Sequence, residues 1–160
     1  FQVDVIASDP GVSAQSMVAV GVRKVEMEEV FEQSDIISIH APELPSTYHI
    51  VNEASIASMK DGVILINTAR GTAIDEQALA KALLSGKIKT ACLDVYDPEP
   101  PCADNPLLKL DNCIMTPHIA GQAANGLQRI GYNCYCQLLH FLAGERMQGE
   151  ITRDMLNHIA

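Results

Sequence analysis

Val63 to Gly86 reads VILINTARGTAIDEQALAKALLSG, and the order of its parts decides the fold. Val63 to Ile66 is an apolar run too short for a helix and rich in β-branched side chains, which predicts a strand buried on both faces of a parallel sheet. The chain then turns polar. Asn67, Thr68, Ala69, Arg70 and Gly71 make a tight loop, Asp75 is placed to cap a helix, and Ala78, Leu79, Ala82 and Leu83 share one face of it. Gly86 ends that helix. Strand, loop and helix in this order put a single arginine just past the carboxyl end of a buried strand, where open α/β sheets hold their ligands.

The same alternation runs outward in both directions. Phe1 to Ala7 predicts a strand closing on the turn Ser8-Asp9-Pro10-Gly11. A short helix over Ser13 to Ala19, a strand over Val22 to Val25 and an acidic helix over Glu26 to Gln33 follow, the last with Met27, Val30 and Phe31 inward. Asp35 to His40 predicts the next strand, and Asn52 is placed to cap a helix with Ile56 and Met59 on its inner side. Beyond Gly86, Ile88 to Val95 predicts a strand running into the proline-rich loop from Asp97 to Pro101; Pro106 and the leucines after it form a connector. Asn112 to Thr116 predicts a short strand, and Gln122 to Leu142 a long helix whose Leu127, Ile130, Cys134, Leu138 and Phe141 are spaced as one buried stripe.

Strands alternating with helices predict right-handed crossovers and an α/β fold with a doubly wound parallel sheet. In such a sheet the carboxyl ends of the strands share one edge. Asp9, His40, Arg70, Asp94, Glu99 and His118, each at or just past the end of its own strand, are therefore expected to converge on one crevice.

Composition narrows the classes of function. The 160 residues have room for one domain, and no apolar run nears the ~20 residues of a membrane span. A net charge of −9 argues against a nucleic-acid partner, because binding to a phosphate backbone rests largely on Lys and Arg. The five cysteines are an odd number in no disulfide or zinc spacing, which predicts buried or partly buried free thiols in a reducing compartment, with the cytoplasm as the expected location and no metal site.

The expected crevice has the parts of an acid/base site. Arg70 carries a permanent charge on a planar fork that matches a carboxylate or phosphate. His118 can exchange a proton near neutral pH, and Glu99 can hold the other imidazole nitrogen and favour the proton-donating form. Asp9, at a strand tip, is where dinucleotide folds place an acid for ribose hydroxyls. Each has a plainer reading: Arg70 tied to Asp75 or Asp94, His118 as a turn residue, Asp9 as the start of a turn. His40, beside Pro42, is expected to be a packing residue, and His49, His140 and His158 structural or solvated.

These motifs resemble a known family. LINTARGTAIDEQALAKAL, LDVYDPEPP and TPHIAG occur in order, with SDP near the start and HAPELPST in the middle, and from about Val3 to Gly121 the chain resembles the nucleotide-binding domain of the D-isomer-specific 2-hydroxyacid dehydrogenases. The resemblance implies a Rossmann-like fold, NAD as cofactor, a small 2-oxo or 2-hydroxy acid as substrate and a homodimer. It implies that Arg70 holds the substrate carboxylate, that His118 donates and accepts the proton, and that Glu99 orients His118. Toward the cofactor it implies Asp9 at the adenosine ribose, Ala41 and Pro42 on the adenine side, Thr68 and Ala69 along the nicotinamide half, Asp94 at the carboxamide, and Arg70, His118 and Gly121 beside them.

The chain also departs from that pattern. The family places a glycine-rich GxGxxG turn after a strand upstream of the one ending in Asp9, and neither is present. Residues 1–144 are thus expected to be an NAD-binding domain incomplete at its N-terminus, with 145–160 a tail returning to a substrate domain of a longer polypeptide, the piece alone being inactive. Two alternatives remain: a fragment with only a scaffold role, and an NAD(H)-sensing corepressor-like binding protein. The relatives of that second kind carry a Trp after the histidine motif, and this chain has none.

Overall fold

The computed structural model describes residues 2–122, 125–153 and 155. Strands β1 (Val5–Ala7), β2 (Val22–Lys24), β3 (Ile36–Ile39), β4 (Val63–Asn67), β5 (Ile88–Leu93) and β6 (Cys113–Met115) alternate with helices α1 (Ala14–Val18), α2 (Met27–Gln33), α3 (Glu53–Ser58), α4 (Glu76–Ser85) and α5 (Gly126–Leu142). Every strand pairing is parallel. The strands form two sheets, a pair β1-β2 and a four-stranded sheet in the order β3-β4-β5-β6. The helix ends follow their residues. Asp75 accepts from Gln77 and Ala78 N–H at the start of α4, Gly86 closes it at φ 78°, and Asn52 and Ser55 form a reciprocal capping box on α3.

The core lies on one face of the four-stranded sheet. Register aligns Ile37, Leu65 and Ala91 across it, and these pack with Leu79 and Leu83 of α4, Ile56 of α3 and Phe31 of α2. The connector after Pro106 is a 3₁₀ turn capped by Asn105, and its Leu107 is wholly buried in that core.

The opposite face is open, which corrects the expectation of a strand buried on both sides. Ile64 and Ile66 of β4 are only half-buried, Ile36 is 59% exposed and Ile114 55%. The physical reason is that α3 and α4 lie on the same side, while the long helix α5 makes its contacts with the 3₁₀ turn Ala120–Gln122. The stripe on α5 exists but is not covered: Leu127, Ile130, Leu138 and Phe141 are each more than half exposed, and Cys134 is exposed. Met27 faces outward as well, since only Phe31 of α2 reaches the core. The cysteines are all free, but Cys102 and Cys134 are exposed rather than buried. Among the described residues no helix is long and apolar enough to cross a membrane.

Candidate active site

β4, β5 and β6 end side by side, and their following loops carry Arg70, Glu99 and His118. His118 sits at φ 52°, a left-handed conformation uncommon outside glycine, with Pro117 before it. Such a backbone is kept only where the surroundings over-determine it, and here they do. His118 N–H donates to Thr116 C=O, and the next two N–H groups, of Ile119 and Ala120, donate to the carboxylate of Asp94 at 2.9 and 2.8 Å. The turn aims the imidazole at the loop after β5, where Nδ1 meets Glu99 Oε2 at 2.8 Å.

Glu99 is held from its other side by Tyr96 N–H, which donates to Oε1 at 3.0 Å. The hydrogen bond with His118 keeps the Glu99 carboxyl below its ordinary pKa; burial opposes this, and Tyr96 N–H and the His118 charge add to it. Asp94 is 3% exposed. Burial pushes its carboxyl up, but hydrogen bonds from Thr116, Ala120 and Ile119 and the His118 charge outweigh that, and its pKa lies below the usual value. The Tyr96 hydroxyl, 2.9 Å from Leu93 C=O and 2.7 Å from Thr116 C=O, joins the ends of β5 and β6, and burial pushes the phenol pKa up.

Arg70 is exposed and its Nη1 donates to Ala69 C=O at 2.7 Å. It is tied to neither Asp75, which caps α4, nor Asp94, which holds the His118 turn. Its loop is rigid all the same. Gly71 lies so close to Tyr96 that a Cβ there would fall 2.0 Å from the Tyr96 carbonyl carbon, so no side chain fits. His49 N–H donates to Thr72 C=O and Val51 N–H to Ala73 C=O, which pins the far side of the loop. The arginine's loop is thereby packed against the loop after β5, 25 residues further on in sequence, which carries Glu99 and through it meets His118 on the loop after β6.

Other expected residues fall nearby or apart. Thr68 is exposed and Ala69 half-buried on the Arg70 loop; Gly121 follows the His118 turn, exposed. Ala41 and Pro42 are half-buried after β3, where Thr47 Oγ1 donates to Pro42 C=O. Asp9 lies two residues past β1 of the separate two-stranded sheet, its Oδ1 accepting from Gly11 N–H at 2.7 Å. It therefore shares no hydrogen-bonded sheet with the other site residues. His40 is exposed and bonded to Ser38, not a packing residue; His49 stacks on Tyr48, His140 pairs with Glu145, and His158 lies outside the described residues.

The donor set fits a dinucleotide at its two ends. Asp94 retains an acceptor position beyond its three bonds, Thr68 presents a hydroxyl beside it on the next strand end, and Asp9 offers Oδ2 at an exposed strand tip. Asn67 and Tyr96 escaped the motif reading, although a polar residue in phase with Val63 and Leu65 was a visible signal for the first.

Comparisons with known proteins identify the family of the chain. Residues 1–120 match the family model described as the D-isomer specific 2-hydroxyacid dehydrogenase, NAD binding domain. The chain is 42% identical over 131 residues to a D-3-phosphoglycerate dehydrogenase of Archaeoglobus fulgidus, covering 82% of this chain and 25% of that protein. It is 46% identical over 133 residues to a hydroxypyruvate reductase of Thermotoga maritima, covering 82% of this chain and 42% of that one. Among solved structures it resembles a D-lactate dehydrogenase of Treponema pallidum, with a TM-score of 0.78, 34% identity, and 93% and 48% of the two chains covered. An NAD-complexed D-isomer specific 2-hydroxyacid dehydrogenase of Lactobacillus delbrueckii matches with a TM-score of 0.80 and 29% identity, over 93% of this chain and 48% of that one. The chain thus spans less than half the length of these relatives. With its parallel sheets and flanking helices, its TARG, LDVY and TPH segments meeting at one sheet edge, and these matches, the chain belongs to the D-isomer-specific 2-hydroxyacid dehydrogenases and carries their Rossmann-like NAD-binding domain.

Proposed function

We propose that the chain supplies the cofactor-binding and catalytic half of an NAD-dependent D-2-hydroxyacid dehydrogenase, within a longer polypeptide. The observation that carries this reading is the 2.8 Å contact of Glu99 with His118 Nδ1, which leaves Nε2 as the imidazole nitrogen for substrate, beside a loop that presents an exposed arginine. Arg70 binds the carboxylate of a 2-oxo acid through its guanidinium fork. His118 gives a proton from Nε2 to the carbonyl oxygen, and takes it back in the oxidation of the D-2-hydroxy acid. Glu99 keeps the ring in the orientation that puts Nε2 toward substrate. Bound NADH supplies the hydride. Asp94 holds the His118 turn and keeps one acceptor position for the carboxamide; Thr68, Ala69 and Gly121 line that half, and Ala41, Pro42 and Asp9 the adenosine half.

We read residues 1–144 as the NAD-binding domain and 145–160, of which 154 and 156–160 lie outside the described residues, as the part of the chain that belongs to the return to a substrate domain. The open face of the four-stranded sheet and the uncovered stripe on α5 support further protein around this unit, since monomers seldom expose contiguous apolar patches of more than a few hundred Å². We read the assembly as a homodimer, to which α5 contributes. The free thiols fit the cytoplasm.

The test is NADH oxidation, followed at 340 nm, by the polypeptide that carries this chain, with glyoxylate and hydroxypyruvate offered as 2-oxo acids. Turnover with either is expected; NADH binding without turnover on any 2-oxo acid would sink the reading. Within that assay, Glu99→Gln removes the carboxylate bonded to His118 Nδ1 but keeps the volume. kcat for 2-oxo acid reduction should then fall, as expected when the group that orients a general acid loses its carboxylate, with NADH affinity unchanged. Because the Glu99 carboxyl lies below its ordinary pKa, its contribution in the wild type is present above the usual carboxylate range and is lost only as pH falls through the depressed value. Unchanged turnover across pH in the variant would remove Glu99 from the mechanism.

A further inference from the structure

We propose that Asn67 is a positioning residue for this reaction, its side-chain amide setting the place of the Arg70 loop without touching substrate. The inference rests on the reading of Arg70 as the carboxylate clamp. β4 alternates, with Val63, Leu65 and Asn67 turned to the covered face and Ile64 and Ile66 to the open one. The packing at that phase calls for an apolar residue, yet Asn67 is 0% exposed. A buried amide without partners costs about 1–3 kcal/mol.

Both of its polar atoms are satisfied, and by one loop. Oδ1 accepts from Ala69 N–H at 3.0 Å, and Nδ2 donates to Arg70 C=O at 2.8 Å. One bond grips the peptide plane before Ala69 and the other the plane after Arg70, so the two residues between them are bracketed. The donor and the acceptor on the loop also leave a single orientation for the amide. The Asn67 backbone C=O accepts from Asp94 N–H at 3.0 Å, so the same residue ties the loop to the strand that holds the His118 turn. Among the described residues the Arg70 side chain has only the neighbouring Ala69 carbonyl as a partner, which leaves the backbone as what defines where the guanidinium starts. A displacement of about 1 Å at a substrate-positioning group can cost on the order of 10²-fold in rate.

The experiment uses the active polypeptide that carries this chain, with Asn67→Ser, which strips both loop bonds, and Asn67→Asp, which keeps the acceptor for Ala69 N–H and loses the donor to Arg70 C=O. KM for the 2-oxo acid, kcat, the NADH dissociation constant and the thermal midpoint are measured for each. KM is expected to rise about 10-fold with NADH affinity unchanged. Adding Asn67→Ser to Arg70→Ala should change KM by no more than about twofold, because residues acting through one another are not additive. A lowered midpoint with unchanged KM, a full Asn67 penalty persisting beside Arg70→Ala, or failure of both variants to fold would overturn the proposal by assigning Asn67 to stability alone. If Arg70→Ala raises KM and neither Asn67 variant does, only this inference fails; if Arg70→Ala leaves KM unchanged, the clamp reading fails and this inference with it.

Discussion

His118→Gln should lower kcat for 2-oxo acid reduction by about 10²–10⁴-fold, the range a positioned general acid contributes, while NADH still binds. The imidazole is held by more than one device. Its backbone sits in a left-handed turn anchored on Asp94, and its Nδ1 is taken by Glu99. Glutamine can offer an N–H to the carbonyl oxygen but cannot release the proton that the alcohol product needs. The loss should therefore fall on kcat and kcat/KM together, the pattern of an interaction made in the transition state. Steady-state kinetics combined with a fluorescence titration of NADH separates the two effects. A variant that turns over at the wild-type rate would place the proton donor elsewhere.

Arg70→Ala should reduce kcat/KM for the 2-oxo acid by about 10²–10³-fold, or about 3–4 kcal/mol, as expected for losing a charge-assisted, bidentate contact with a carboxylate. Most of that loss should appear in KM. The exposed guanidinium makes no ion pair among the described residues, so its removal leaves no orphaned carboxylate and the fold should not suffer. Arg70→Lys should recover only part of the activity, because an ammonium cannot match both carboxylate oxygens in the same plane. Kinetics of the two variants, with thermal midpoints as a control, make the comparison. An Arg70→Ala enzyme with unchanged KM would defeat the carboxylate assignment.

Much of this site was legible before any coordinates, because in a parallel sheet the position of a residue at a strand's carboxyl end carries spatial information. Arg70, Glu99 and His118 each sit just beyond an apolar segment, and that spacing was enough to group them. Asp9 was grouped with them by the same rule. In the structure β1 pairs with β2 alone, and a rule that presumes one continuous sheet does not reach across two. By sequence Asn67 is the first polar residue after an apolar run, which places it in the loop. In the structure it is the last residue of β4, and its side chain follows the strand's alternation into the core.

Local pattern determined the elements of this protein. Period-two and period-3.6 spacing, Asp75 and Asn52 as caps and Gly86 as a stop act within a few residues of themselves, and they read correctly without knowledge of neighbours. What covers each element is non-local, and only the tertiary structure decided it. The stripe on α5 is as apolar as the face of α4, yet α4 lies on the sheet and α5 does not. The left-handed backbone of His118, the closeness of Gly71 to Tyr96 and the bond between Glu99 and His118 likewise depend on strands that meet only when the sheet forms. A side chain's chemistry is written at its own position, whereas its partners, and with them its task, come from wherever the fold brings the chain back.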